Sequence, residues 1–253
     1  MAAAANGRRA QSRSPKLFAQ NRNPAIGRLQ TLATDQSPPD ADTLPLALIR
    51  HGLALPPEQV AQLDRYCRLL WDWNEKLNLT RHTDYEKFVA RDLVDSLALA
   101  EQLSPGERVL DVGTGGGVPG VVLAIVRPDL AVELCESVAK RAKVVADIVR
   151  ELGLAVSVHH APVQSVLAAR SYDTLVARAV APLPKVLTWL APHWGQFGRL
   201  LIIKGPKWVE ERGEARHRGL MRSLVLRRVK AYPLAGTDSE SVVLAITPKG
   251  TDE

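Results

Sequence analysis

The sequence predicts an α/β fold in which a seven-stranded, mostly parallel sheet with an antiparallel last strand follows an N-terminal helical region. From residue 108 onward, apolar runs of strand length alternate with helix-length segments, which favours parallel strands covered by helices on both faces. The connection 233–240 is short and polar, which suits an antiparallel return. We therefore expect a tail and linker at 1–43, a helical cap at 44–104 and a ligand-binding domain at 105–250.

The first 34 residues of the N-terminal tail have a charge equal to the net charge of the whole chain, +6. Residues 1–34 contain six basic residues and no acidic residue, and the 27 basic residues that follow equal the 27 acidic residues. The tail lacks hydrophobic periodicity and is rich in Ala, Ser, Gln, Asn and Pro, which predicts disorder. Attraction to RNA phosphates, an organellar transit peptide and a solvated extension without a role are three open interpretations.

Composition argues against a membrane protein and against a cysteine-bound metal site. The 253 residues are 46% hydrophobic, and no apolar run approaches the roughly 18 residues that would cross a bilayer. Cys67 and Cys135 are far apart in sequence and have no metal-ligand spacing, so we expect reduced thiols in a cytoplasmic protein. We expect no metal site and no membrane contact.

The elements follow in order along the chain. In the cap, apolar residues recur at three- and four-residue spacing from Leu63 to Trp71, and a second helical stretch is predicted at 84–103. The predicted strands are 109–113, 131–135, 155–159, 173–177, 199–204, 224–232 and 241–247. The predicted helices of this domain are 119–127, 138–152, 182–194 and 208–222.

A glycine cluster directly follows the first predicted strand. The sequence Asp111-Val-Gly-Thr-Gly-Gly-Gly-Val-Pro-Gly120 lies between a buried apolar run and a helix. A loop without Cβ atoms lets the backbone approach a ligand closely, and the helix that opens after it directs free N–H groups to the same place. A glycine-rich turn without a ligand is the alternative. The loop predicts a nucleotide-like cofactor.

The spacing distinguishes between cofactors. The dinucleotide fingerprint requires a third glycine at position 118, where the chain has Val118, and this disfavours an NAD-dependent oxidoreductase. The pattern Asp-x-Gly-x-Gly-x-Gly from Asp111 to Gly117 resembles the S-adenosylmethionine loop of Rossmann-like methyltransferases. An acid is then expected about 20 residues further on to hold the ribose, and Glu136 ends the next predicted strand. A solvated loop glutamate is the alternative.

Four motifs in order resemble one family. They are Trp73-Asn-Glu-Lys-Leu-Asn-Leu-Thr80, Arg91-Asp-Leu-Val-Asp-Ser96, the glycine loop, and Ala177-Arg-Ala179 with Lys204-Gly205 beyond. Over residues 55–247 the chain resembles the bacterial small-subunit (16S) ribosomal RNA guanine-N7 methyltransferases, also called glucose-inhibited division protein B. The resemblance implies a Rossmann-like class I methyltransferase fold and S-adenosylmethionine as the cofactor. Glu136 stands where this family often has aspartate, and Gln164 where it often has glutamate.

The resemblance also implies site residues. The residues expected to bind the cofactor are Asp111, Gly113, Gly115, Gly117, Val118, Glu136, Val163, Gln164 and Arg178. Val163 and Gln164 are placed in the loop after the third strand, where this family binds adenine. Arg178, at the end of the fourth strand, is the expected catalytic residue, and guanine O6, a phosphate and the cofactor carboxylate are its open partners, with a surface salt bridge as the alternative.

Three residues are candidates for substrate binding. Asn78 and Thr80 are polar residues in an otherwise apolar helical segment, where a lid over the cofactor cleft and a helix cap are the open interpretations. Lys204 is expected either to contact an RNA phosphate or to be a solvated lysine. Arg91 and Asp95, four residues apart, are expected to form an intrahelical ion pair.

The chemistry of guanine N7 explains why no catalytic triad is expected. N7 carries a lone pair and no proton, so methylation needs alignment and orientation rather than a general base. The expected partner is small-subunit ribosomal RNA or the small ribosomal subunit, and the expected state is a monomer. A small-molecule methyltransferase and a non-catalytic RNA-binding protein on the same fold are the alternatives.

Overall fold

A computed structural model describes residues 42–234 and 238–250 of the chain. Residues 1–41 of the predicted tail and linker lie outside these residues, so the division at residue 43 stays a prediction. The cap consists of four α-helices and one π-helical turn. They are α1 (Leu44–Arg50), α2 (Pro57–Leu77), α3 (Tyr85–Lys87), the π-helical turn (Phe88–Leu93) and α4 (Val94–Ala100).

The rest of the described chain alternates between strands and helices. The strands are β1 (Arg108–Val112), β2 (Ala131–Glu136), β3 (Ser157–His160), β4 (Tyr172–Arg178), β5 (Phe197–Lys204), β6 (Leu224–Pro233) and β7 (Glu240–Pro248). The helices are α5 (Gly120–Val126), α6 (Ala139–Leu152), α7 (Val163–Leu167), α8 (Leu183–Leu190) with a 3-10 turn (Ala191–His193), and α9 (Trp208–His217).

The strands form one seven-stranded sheet in the order β3-β2-β1-β4-β5-β7-β6. The first five strands are parallel, and β7 is antiparallel to both of its neighbours, β5 and β6. The predicted fold class is confirmed. The strand order reverses between β1 and β4, and open α/β sheets bind ligands at the carboxyl ends of the strands beside such a switch point.

The helices cover both faces of the sheet. The cap helices α2 and α4 pack with α5 and α6 on one face, and α7, α8 and α9 form the layer on the other. Strand β1 contributes to both layers because successive side chains alternate between the faces: Val109 packs on the cap side, whereas Leu110 packs on the opposite side. The cap is therefore part of one hydrophobic core with the sheet.

Three details of the prediction were wrong. Residues 163 and 164 begin the short helix α7 rather than lying in a loop. Helix α9 ends at His217, and residues 218–222 form a turn. The second helical stretch of the cap contains the π-helical turn at Phe88–Leu93, which shifts the faces of the residues after it. None of the described helices is long and apolar enough to cross a membrane.

Candidate active site

The first residues of the glycine loop are hydrogen-bonded to the neighbouring strand, β2. Gly113 has a φ of 68°, a backbone conformation that glycine adopts without steric cost. The N–H groups of Gly113 and Thr114 both donate to the carbonyl of Cys135, at 2.9 and 3.1 Å. The chain therefore turns sharply at the carboxyl end of β1 and remains against β2.

Asp111 joins the strand before the loop to the helix after it. Its Oδ2 accepts a hydrogen bond from the N–H of Gly120, at 2.9 Å, and its side chain is fully buried. Burial raises the pKa of this carboxyl to about 6, although the hydrogen bond from Gly120 opposes the rise. The observed contact fixes the loop, and direct contact with a cofactor stays a prediction for Asp111.

Glu136 reaches from the end of β2 to the glycine loop. Its Oε2 accepts from the N–H of Gly115 at 3.1 Å, and its Oε1 accepts from the N–H of Val138 at 2.8 Å. The side chain is buried, so the alternative of a solvated glutamate is wrong. The hydroxyl of Ser137 also donates to Oε1, at 3.5 Å. An ionised carboxylate has about four acceptor sites, so the remaining acceptor capacity suits the ribose.

A cavity of about 220 Å³ opens beside the loop, between the ends of β1, β2 and β3 and the helix α8. Its wall is mainly apolar and includes Val112, Ala161, Val163, Val180 and Trp189, with Gln164 as a polar group. A flat ring with a polar edge suits such a wall, because the side-chain amide of glutamine both donates and accepts hydrogen bonds. These residues fit the adenosine part of S-adenosylmethionine.

Arg178 lies at the end of β4 in a buried ion cluster. Its Nη2 is 2.5 Å from Asp92 Oδ1 and its Nη1 is 2.9 Å from Asp95 Oδ2. Burial alone would lower the pKa of this guanidinium, but the two carboxylates outweigh burial and raise it. The side chain is 18% exposed, so the alternative of a surface salt bridge is wrong.

The expected ion pair between Arg91 and Asp95 is also wrong. Asp95 binds Arg178 and the hydroxyl of Tyr232, whereas the Nε of Arg91 is buried without a hydrogen-bond partner among the described residues. Spacing of four residues places two side chains on one face only in a regular α-helix. Arg91 lies in the π-helical turn, so the rule does not apply there.

The cap contacts the glycine loop directly. The fully buried hydroxyl of Tyr66, in α2, donates to the carbonyl of Gly116 at 3.0 Å. A Cβ added at Gly116 would lie 2.8 Å from Leu70 Cδ1 and 3.5 Å from Leu79 Cβ, and one at Gly117 would lie 2.7 Å from Val121 Cγ2. The glycines of the loop are therefore needed partly for packing against the cap and α5.

Asn78 and Thr80 lie where α2 ends rather than within a helix. Asn78 is the C-cap residue in the left-handed conformation, with a φ of 44°. The N–H of Thr80 donates to Asn74 Oδ1 at 2.8 Å, and its hydroxyl accepts from the N–H of His82 at 3.0 Å. The capping interpretation fits Asn78, and substrate contact stays a prediction for both residues.

Lys204 is buried rather than solvated. Its Nζ donates to the carbonyl of Ala181 and pairs with Glu211 Oε2, both at 2.7 Å. Glu211 Oε2 also accepts from the N–H of Leu183, at 2.6 Å. The lysine thus joins the ends of β4 and β5 to α9, which leaves it poorly placed for an RNA phosphate.

Sequence reasoning missed four side chains that the structure brings to the site: Tyr66, His82, Asp92 and Tyr232. Asp92 was part of a quoted motif, but its burial depends on the π-helical turn. No group of His, Cys, Asp and Glu side chains suited to a metal ion occurs among residues 42–234 and 238–250.

Residues 59–237 match the family described as GidB, rRNA small subunit methyltransferase G. The chain belongs to this family. It is 52% identical over 194 residues to the ribosomal RNA small subunit methyltransferase G of Rhodopirellula baltica, covering 77% of this chain and 84% of that protein. The protein of the same name from Pseudomonas paraeruginosa is 35% identical over 204 residues, covering 74% of this chain and 95% of the relative.

One solved structure shows the same fold at low identity. TrmK of M. capricolum, determined in complex with S-adenosyl-homocysteine, has a TM-score of 0.50 and 11% identity and covers 61% of this chain and 68% of its own. Family membership confirms the predicted class of enzyme, a ribosomal RNA methyltransferase, and S-adenosylmethionine as its cofactor.

Proposed function

We propose that this methyltransferase transfers a methyl group to N7 of a guanine in small-subunit ribosomal RNA, with Arg178 orienting the base. The single observation that carries the proposal is the placement of the glycine loop, the apolar cavity and Arg178 at one edge of the sheet, in a chain of this family. Ligands of open α/β sheets bind at this edge.

The chemistry asks little of acid–base groups. S-adenosylmethionine, when bound, supplies a methyl group on a sulfonium sulfur. Guanine N7 has an in-plane lone pair and no proton, so no residue of the chain has to remove a proton. The chain must hold the two reactants in line, and orientation of this kind accounts for a large share of rate acceleration in such reactions.

The residues of the glycine loop, the cavity and the end of β2 have proposed roles that their contacts support. Glu136 would accept hydrogen bonds from the ribose hydroxyls while its backbone contacts keep it against Gly115. Gln164 would bind the adenine edge, and the apolar wall formed by Val163 and Trp189 would exclude water from the ring. Gly113 would let the loop approach the cofactor without a Cβ.

The geometry of guanine restricts what Arg178 can do. Arginine often binds O6 and N7 of guanine together, but a donor on N7 would occupy the lone pair that has to attack the methyl group. Arg178 would therefore donate to O6 alone or to a neighbouring phosphate. Two of the five guanidinium N–H donors bind Asp92 and Asp95, and a substrate would bind through one of the other three.

Methyl transfer from labelled S-adenosylmethionine tests the proposal. Small subunits that lack N7-methylguanine are expected to accept label, and mass mapping is expected to find it at one guanine N7. Label on another atom of the RNA would contradict the N7 assignment. A folded, cofactor-binding enzyme that leaves the RNA unlabelled but methylates a small molecule would favour the alternative activity.

The chain is further proposed to act as a monomer in the cytoplasm, where small subunits are present. Removal of residues 1–41 keeps Asp42, whose Oδ2 accepts from the N–H of Tyr85 at 3.3 Å. This truncated enzyme is expected to keep its turnover and to sediment as a monomer. Loss of all RNA binding on truncation, without loss of cofactor affinity, would favour a binding role centred on the tail.

A further inference from the structure

The side chains that hold Arg178 come from the cap. Asp92 lies in the π-helical turn and Asp95 in α4, and each gives one carboxylate oxygen to a different guanidinium nitrogen, at 2.5 and 2.9 Å. Both carboxylates are at most 4% exposed, and they are separated from Arg178 by more than 80 residues of sequence. We name these three side chains the arginine clamp.

A second layer of contacts fixes the two carboxylates. Asp95 Oδ1 accepts from the hydroxyl of Tyr232 in β6 at 2.6 Å, and Asp92 Oδ1 is 2.8 Å from Nδ1 of His82. The π-helical turn contributes as well, because it places residues 92 and 95 on the face that is directed at the end of β4. Such turns occur frequently at functional sites.

Stability alone is a weak reason for a buried clamp of this kind. The desolvation of buried charges cancels much of their attraction, and well-packed apolar residues in their place often stabilise a protein equally well. The clamp does give the guanidinium a fixed plane and a fixed position. It also leaves three N–H donors on a side chain that remains 18% exposed.

We propose that Asp92 and Asp95 are positioning residues for methyl transfer, which act by holding the Arg178 guanidinium in the orientation that the guanine requires. This inference rests on the role proposed above for Arg178. It makes the cap a contributor to the reaction geometry as well as a cover of the sheet. A displacement of about 1 Å in a positioning group can lower a rate about 100-fold.

A double-mutant cycle tests the proposal. Asp95→Asn keeps the shape of the side chain and removes its charge, and we expect kcat/KM for small subunits to fall about 10- to 100-fold. In the Arg178→Ala background the same change is expected to have little further effect, because a positioning residue acts only through its partner. Asp64→Asn, which changes a cap aspartate bound to Tyr85 and Arg68, is the matched control and should retain activity.

Rescue by free guanidinium ion provides a readout that a merely structural role would not give. Guanidinium chloride well below denaturing concentration is expected to restore part of the turnover of Arg178→Ala and to raise its Tm, relative to potassium chloride at equal ionic strength. The rescue should be absent from Arg178→Ala/Asp95→Asn. If this double variant does not fold, Asp92→Asn replaces Asp95→Asn, because it removes the charge of the other carboxylate that binds Arg178.

The outcomes separate this inference from the proposed function. Full activity of a folded Asp95→Asn, or effects of Asp95→Asn and Arg178→Ala that multiply independently, would overturn the inference and leave the role of Arg178 intact. Rescue by guanidinium that persists when Asp95 or Asp92 is changed to Asn in Arg178→Ala would also overturn the inference. Full activity of Arg178→Ala would instead remove the proposed catalytic role, and no methylation by the unmodified enzyme would remove the proposed function.

Discussion

The first residue of the glycine loop offers a test of how tightly the site is built. Gly113 and Gly153 both have a φ of 68°, but a Cβ added at Gly113 would lie 2.5 Å from Val180 Cγ2, whereas one at Gly153 would meet nothing within 4 Å. The left-handed conformation costs an alanine about 1–2 kcal/mol at either position. Gly153→Ala is therefore a matched control for Gly113→Ala.

The magnitude follows from the contact with Val180. A methyl group forced into a packed site costs about 1–3 kcal/mol, and the branched side chain of valine has little freedom to move away. Gly113→Ala is thus expected to lower the free energy of unfolding by about 2–5 kcal/mol, which exceeds the loss in Gly153→Ala. Denaturant unfolding of both variants measures the difference.

A second substitution identifies the cause. Val180→Ala removes the methyl group that the new Cβ would meet, so Gly113→Ala/Val180→Ala should recover about 1–3 kcal/mol relative to additive losses. Gly113 and Val180 also line the cavity, so calorimetry should find that Gly113→Ala binds S-adenosylmethionine at least about tenfold more weakly, whereas Gly153→Ala binds it normally. Equal losses of stability in the two alanine variants, without recovery in the double variant, would refute the reasoning.

Three further predictions concern buried polar groups. Burial raises the pKa of Asp111 to about 6, so the folded protein keeps a proton that the unfolded chain releases near pH ~4. The contribution of Asp111 to the free energy of unfolding therefore falls as the pH rises between these two values. In unfolding titrations, the free energy of unfolding of Asp111→Asn should therefore rise by roughly 2–3 kcal/mol relative to that of the unmodified protein as the pH increases across this window. Tyr66→Phe removes the hydrogen bond to Gly116 and should lower the free energy of unfolding by about 1 kcal/mol in denaturant titrations. Lys204→Met should lower stability because Glu211 loses its cation, yet leave the salt dependence of RNA binding unchanged.

Each of these predictions has a contrary result. A stability difference between Asp111→Asn and the unmodified protein that is constant from about pH 4 to about pH 6 would show that folding does not raise the pKa of Asp111. Unchanged unfolding of Tyr66→Phe would show that the hydroxyl adds nothing to the contact between cap and loop. A phosphate contact by Lys204 would appear as a salt-dependence slope smaller by about 1 in Lys204→Met.

Most of the sheet could be predicted from local pattern. Apolar runs bounded by polar turns marked all seven strands to within two residues at each end, and the short connection 233–240 marked the antiparallel return. Among the helices, α7 was missed because it has only five residues and no clear period, and α9 ends five residues before its predicted end. The π-helical turn was also missed, because its sequence is compatible with an ordinary α-helix.

The ion pairs could not be predicted in the same way. The rule that pairs residues four apart suggested Arg91 with Asp95, yet Asp95 binds Arg178, which is 83 residues further along the chain. Lys204 likewise occupies a strand end near the site, where its neighbours in sequence give no sign of Glu211 as its partner. Spacing along one helix is a local property, whereas these partners are fixed by how separate elements pack.

The amino-acid sequence by itself determined the α/β class, the place of the cofactor loop and the family, because periodicity, glycines without Cβ atoms and ordered motifs are all properties of short segments. Only the tertiary structure decided which charges meet. The cap aspartates face Arg178 because the cap and the sheet share one core, and burial leaves each charge only the partners that this packing brings within hydrogen-bond distance.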